Sequence, residues 1–146
     1  LLYGAAISLG IEMKETGAAI WVAENFLSAL SPIGAGDGFG LWAAVSALTT
    51  IVTNTMSNGA AVAVLGPIVL KMATVSGESP LIIGFITAVS SAFAYLTVVG
   101  TPACTIVYAS GYLKTTDFLV VGWKMAVAST IIMLVAARLY WPLLGV

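Results

Sequence analysis

Two short stretches carry most of the chemistry this chain offers, and neither holds a charged side chain. They are Thr53-Asn54-Thr55-Met56-Ser57-Asn58-Gly59 and Val99-Gly100-Thr101-Pro102. Hydroxyl, amide and backbone oxygens gathered in this way suit Na+, a hard monovalent cation, and they avoid the cost of an unpaired carboxylate inside a membrane. Each stretch also interrupts an apolar run that reads as helix. A helix beginning at such a break presents free N–H groups and a positive dipole end, which favour an anion, while the carbonyls freed at the break favour Na+. The commoner role of Ser, Thr and Asn in membrane helices is to bond neighbouring backbone or a facing helix. Ser46, Thr49 and Ser90 are read in that plainer way. The break residues stand apart because two breaks fall in one short chain.

The rest of the composition removes other classes of function. Of 146 residues, 60% are hydrophobic and only 8% charged, against roughly a quarter charged in soluble domains. The chain therefore reads as membrane protein. A net charge of −1 gives no electrostatic case for nucleic acid as a partner. Histidine is absent, and a lone Cys104 can form no disulfide within the chain. The six carboxylates are Glu12, Glu15, Glu24, Asp37, Glu78 and Asp117, and no nucleophile–base–acid set emerges from them, so no enzyme is expected. Glycines in 34–40 lack the Lys-Ser/Thr ending of a phosphate loop and follow no strand, which excludes nucleotide binding. Lys71 and Lys124 read as side chains that extend to a membrane interface.

The elements that must position the two breaks follow from hydropathy and punctuation. Residues 1–30 read as a partial helix followed by an interfacial helix at 17–30, where Trp21, Glu24 and Asn25 mix aromatic and polar character. The Gly- and Pro-rich stretch 31–40 is a loop. Residues 41–53 and 60–75 are two apolar arms, the second kinked at Gly66-Pro67. Each arm reaches only about 20–24 Å at 1.5 Å per residue, short of a hydrocarbon core of roughly 30 Å. Together with the polar turn between them they make 38–76 a re-entrant helical hairpin, with both ends on one side. Backbone off the helix at membrane depth is tolerated only where it is buried in protein or lines a cavity, so the hairpin tip is itself a site signal. Residues 79–113 read as a broken helix. It starts at Ser79-Pro80, stops near Val99, and resumes with Thr101 as N-cap and Pro102 at its first position. A terminal membrane helix occupies 116–141 and ends in an interfacial Tyr140-Trp141 pair. The fold class is all-α integral membrane. With Leu1 rather than Met at its start, the chain reads as part of a longer one. Lys14, Lys71, Lys114, Lys124 and Arg138 fall on mixed sides and do not orient it.

The motifs TNTMSNGAA (53–61) and VVGTPACTIVYASGY (98–112), with the opening LLYGAAISLGIEMKETGAAIWVA, resemble the second repeat of the divalent anion/sodium symporter family. That family carries dicarboxylates, citrate or sulfate. The resemblance implies half of an inverted-repeat transporter, with a Ser-Asn-Thr motif at a hairpin tip and a small residue before Thr-Pro at the break of the next helix. It implies that Thr53, Ser57, Asn58 and the Gly100 carbonyl line a Na+ site, and that Asn58, Gly59, Thr101 and Pro102 face the substrate. Gly59 stands where the family has Thr, a hydroxyl that contacts substrate carboxylate, and Ala103 and Cys104 stand where Pro and Asn are frequent. Further implications are elevator-like alternating access, Na+ as coupling ion, a small anionic substrate, a homodimer of the full-length protein, a C-terminus outside the cytoplasm, and residence in the cell membrane of a bacterium or archaeon. Two rival expectations are a proton-coupled anion transporter of the same superfamily and a membrane scaffold subunit whose breaks only pack.

Overall fold

The computed structural model describes residues 4, 8, 11–13 and 15–144, and among these it is all-α. The expected partial helix at 1–11 lies mostly outside the described residues. Helix α1 spans Ala18–Leu30. It packs Ala19 and Ala23 inward and leaves Trp21, Glu24 and Asn25 exposed. A short 3-10 turn at Ser31–Ile33 follows.

Helix α2 (Gly38–Thr53) and helix α3 (Asn58–Ser76) are joined by residues 54–57 alone. The turn is shorter than the expected 54–59 because Ser57 is the N-cap of α3, its Oγ accepting the Ala60 N–H at 3.4 Å, so Asn58 and Gly59 are already helical. The far ends of the two arms also meet. The Glu78 carboxylate, just beyond α3, accepts the Gly38 N–H at the start of α2 (3.0 Å) and the Trp42 indole N–H (3.0 Å). Asp37, the N-cap of α2, makes no side-chain cap bond; Glu78 supplies one from 40 residues away and sets a negative charge on the positive end of the helix. Pro67 sits inside α3 and leaves the Ala63 carbonyl without its helical donor. Gly77, at φ 76°, ends α3 in the left-handed region that favours glycine. At 19 residues, α3 extends roughly 28 Å, longer than the arm expected from sequence.

Helix α4 runs from Pro80, with Ser79 as N-cap, to Ser90. The expected stop near Val99 is therefore corrected by nine residues' worth of unwound chain, and helix α5 (Pro102–Ala109) begins only after it. The reason is tertiary. Thr53 Oγ1 donates to the Ser91 carbonyl (2.6 Å), Asn54 Nδ2 to the Phe93 carbonyl (3.3 Å), and Asn54 Oδ1 accepts the Leu96 N–H (2.8 Å). Hairpin side chains thus satisfy backbone groups that a continued helix would have satisfied itself. Thr101 caps α5 through the Cys104 N–H at 3.3 Å, and Pro102 occupies its first turn, both as expected.

Helix α6 (Thr115–Leu139) has 25 residues, about 38 Å, enough to cross a bilayer. Asp117 Oδ2 accepts the Lys114 N–H at its start (2.8 Å) and Arg138 lies in its last turn, each charge opposing the helix dipole. Helix α3 packs against α1, α2 and α4, while α2 and α4 also meet α6. Leu41, Val45, Val69, Met72, Ile83 and Ile86 fill the centre, fully buried. Without water to drive association in lipid, close packing and polar bonds hold such helices together. The buried Ser46–Ser90 hydroxyl pair (2.8 Å) ties α2 to α4 in this way. Gly122 lets α6 reach the unwound segment, since a Cβ there would lie 2.3 Å from the Tyr95 carbonyl oxygen.

Candidate functional site

The tip of the α2–α3 hairpin and both ends of the unwound segment 91–101 converge on one cluster of oxygens. Thr53 is fully buried, and Ser91 and Gly100 are buried around it. Asn58, at the first turn of α3, is half-buried and is the pivot of the cluster. With its nitrogen turned inward, the two N–H groups of the Asn58 amide face three acceptors: Thr53 Oγ1 (3.0 Å), the Ser91 carbonyl (3.0 Å) and the Gly100 carbonyl (3.3 Å). With its oxygen inward, Oδ1 lies 3.0 Å from Thr53 Oγ1. The single Thr53 proton is already directed to the Ser91 carbonyl at 2.6 Å. Four oxygens then crowd together with no donor left between Asn58 and the two carbonyls. The nitrogen-inward orientation satisfies the cluster by hydrogen bonds and is the one its neighbouring acceptors select.

Space explains why glycine stands at position 100. A Cβ there would lie 2.8 Å from the Ala94 Cβ and 3.1 Å from the Ala94 carbonyl oxygen, so any side chain disturbs the way the unwound segment folds against itself.

The remaining residues named from sequence lie at the rim. Ser57 is exposed and its Oγ caps α3; it does not join the oxygen cluster. Gly59 and Pro102 are exposed and Thr101 is half-buried. They occupy the first turns of α3 and α5, and the Asn58–Gly100 approach brings those two helix starts side by side. First-turn N–H groups such as that of Gly59 have no partner within the helix. Two positive helix ends thus border a partly open surface next to an oxygen cluster, the arrangement by which broken helices hold an anion beside a cation.

Two participants escaped the sequence reading. One is the Ser91 carbonyl, a backbone oxygen whose only sequence signal is the Ser90-Ser91 pair before an apolar run. The other is Asn54, buried at 6% exposure and bonded to Thr50 on α2 and to Phe93, Leu96 and Thr97 within the unwound segment.

The sequence profile of the sodium:sulfate symporter transmembrane region matches residues 1–146. The chain belongs to this symporter family. Among curated relatives, it is 30% identical over 125 residues to the sodium-dependent high-affinity dicarboxylate transporter 3 of Caenorhabditis elegans, covering 84% of this chain and 21% of that protein. It is 26% identical over 149 residues to the sodium-dependent dicarboxylate transporter SdcS of Staphylococcus saprophyticus, covering 100% and 28%. Human solute carrier family 13 member 1 is 28% identical over 122 residues, covering 84% and 20%. The chain thus spans between a fifth and under a third of the length of these relatives. As a member of the sodium:sulfate symporter family it is an integral membrane protein, the family being one of transporters and not of enzymes, and α3 and α6 are the described helices long and apolar enough to cross a membrane.

Proposed function

We propose that this chain forms half of the ion and substrate site of a sodium-coupled symporter for small anions of the dicarboxylate, tricarboxylate or sulfate type. The observation that carries the reading is the meeting of Thr53 Oγ1, the Asn58 amide and the Ser91 and Gly100 carbonyls beside the N-termini of α3 and α5. Na+ is held by the Asn58 oxygen, Thr53 and the two carbonyls. Ser57 contributes through its cap, which keeps Asn58 at the first turn. None of these oxygens belongs to a group that titrates near neutral pH, which favours Na+ over a proton as the coupling ion.

When Na+ takes the amide oxygen, the Asn58 nitrogen is released from the carbonyls and turns toward the rim, where it donates to the anion together with the first-turn N–H groups around Gly59. Thr101 and Pro102 form the opposite wall. Relatives described as sodium-dependent dicarboxylate transporters support the substrate class, and Gly59 leaves room for a group bulkier than succinate carries. In the full-length protein, a homodimer in the cell membrane of a bacterium or archaeon, this half works with a second hairpin. The 38–76 hairpin enters and leaves on one side and moves with its site in an elevator-type exchange.

The test is uptake of labelled succinate, citrate and sulfate into proteoliposomes holding the full-length protein, under an inward Na+ gradient, an inward proton gradient, or choline alone. Na+-stimulated uptake of one of these anions is expected. Uptake driven by protons and indifferent to Na+ overturns the ion assignment; no uptake of any anion overturns the substrate class.

A further inference from the structure

Segment 91–101 is an arch with both ends on the oxygen cluster: the Ser91 carbonyl at one end and the Gly100 carbonyl at the other. Such an arch has no helical ladder of its own to set the distance between its ends. What it has is Asn54. That side chain donates from Nδ2 to the Thr50 carbonyl of α2 (2.7 Å) and to the Phe93 carbonyl of the arch (3.3 Å). Its Oδ1 accepts the Leu96 N–H (2.8 Å), and its own backbone carbonyl accepts the Thr97 hydroxyl (2.8 Å). Both amide protons and the amide oxygen are engaged at a buried position. Three anchor points, Phe93, Leu96 and Thr97, lie within the arch, and none is a member of the oxygen cluster.

We propose that Asn54 is a positioning residue that pins the centre of this arch to the end of α2 and thereby sets the affinity for Na+ at its two ends. It touches neither ion nor anion. It acts because Thr53, next to it in the chain, and the Ser91 and Gly100 carbonyls are held in one frame, and freeing the arch lets the carbonyls leave that frame. A buried carboxamide with every group bonded is the kind of polar hub whose partial loss is felt throughout its network. This inference rests on the sodium reading of the cluster.

Asn54→Ala in the full-length protein tests it with two readouts. The first is the rate at which a methanethiosulfonate reagent labels Cys104, other cysteines having been replaced. Cys104 is half-buried against the arch, its Sγ 3.7 Å from the Ala94 carbonyl, so labelling reports the arch without reference to any ion. The second is the Na+ concentration giving half-maximal anion uptake, set against the maximal rate. Labelling about tenfold faster, together with a half-saturating Na+ concentration raised about tenfold and a maximal rate preserved when normalised to inserted protein, is the expected result. Thr97→Val removes one anchor only and moves both readouts in the same direction by less, which keeps the test decisive should Asn54→Ala not insert. Unchanged labelling in both variants overturns the inference. So does a fall in maximal rate with no change in Na+ dependence, the outcome of a merely structural role. Faster labelling with unaltered Na+ half-saturation overturns the control of Na+ affinity by Asn54, whereas uptake indifferent to Na+ in the unsubstituted protein refutes the placing of Na+ at the cluster.

Discussion

Replacing Asn58 with alanine separates a coupling-ion site from a simple packing contact, because the substitution removes something different in each state. Without Na+, the substitution removes two amide N–H groups that face three acceptors at 3.0, 3.0 and 3.3 Å. Two of the partners are covered regardless: the Ser91 carbonyl keeps the Thr53 hydroxyl at 2.6 Å, and Thr53 keeps that donation. Only the Gly100 carbonyl, at the longest of the three distances, is left bare, for a loss of about 1 kcal/mol. With Na+ bound, an oxygen bonded to a charge is lost, about 1.5–3 kcal/mol. The difference, roughly 0.5–2 kcal/mol, corresponds to an affinity weakened by about two- to thirtyfold. Anion uptake by the mutant in proteoliposomes, measured over a range of Na+ with choline as replacement, is therefore expected to need a correspondingly higher Na+ concentration for half-maximal rate, with insertion intact. Should both proteins, inserted in equal amount, reach half-maximal uptake within twofold of the same Na+ concentration, the Asn58 oxygen does not bind the ion and the two-orientation account is wrong.

Other outcomes follow from the same geometry. Glu78→Ala leaves the Gly38 and Trp42 N–H groups without their carboxylate and lowers the melting temperature in detergent by the equivalent of about 1.5–3 kcal/mol per lost charged bond at most; Glu78→Gln retains an acceptor and falls between, and an unchanged melting curve for both removes the clasp. Cysteines placed at Asp37 and Val75 label from the same side of the membrane, and labelling from opposite sides rules out a re-entrant 38–76. Gly122→Ala presses a methyl group against the Tyr95 carbonyl at 2.3 Å and destabilises by about 1–3 kcal/mol, read as a lower melting temperature; wild-type stability means that α6 does not bear on the arch. Gly59→Thr raises affinity for succinate relative to a bulkier anion, and an unaltered ratio in competition assays removes residue 59 from the substrate surface.

The starts of helices were legible and one important stop was not. Ser79-Pro80 and Thr101-Pro102 carry their own local signal, a cap followed by a proline whose missing N–H costs nothing in a first turn, and the structure places α4 and α5 there. The end of α4 at Ser90 has no such signal. Residues 92–99 (AFAYLTVV) are as apolar as any helix in the chain, and they unwind because Thr53 and Asn54, some 40 residues earlier, bond their backbone. A stop made by partners distant in sequence is invisible to local pattern. The same holds at the candidate site: Thr53, Asn58 and Gly100 were readable as residue types around breaks, whereas the Ser91 carbonyl is a backbone atom that any residue supplies. Nothing local in the sequence marks the role of Glu78, since its partners at Gly38 and Trp42 lie on another element.

The neutrality of the cluster has a consequence for the order of binding. Thr53, Asn58, Ser91 and Gly100 bring oxygens and no formal charge, so before an ion arrives the inward-facing dipoles point their negative ends at the place where an anion has to sit nearby. The starts of α3 and α5 oppose this with about half a positive charge each, an effect that fades within the first turn. Those partial charges and the negative oxygens lie almost side by side, and the net attraction for a dianion is small. Adding Na+ reverses the sign of the cluster, and turning the Asn58 amide converts its nitrogen from a partner of the Ser91 and Gly100 carbonyls into a donor at the rim. On the proposed reading the cation is therefore a requirement for anion binding rather than a passenger beside it. A carboxylate in the cluster holds the cation more tightly but leaves the anion facing a neutral pair; four uncharged oxygens leave the full positive charge of Na+ to be used by the substrate.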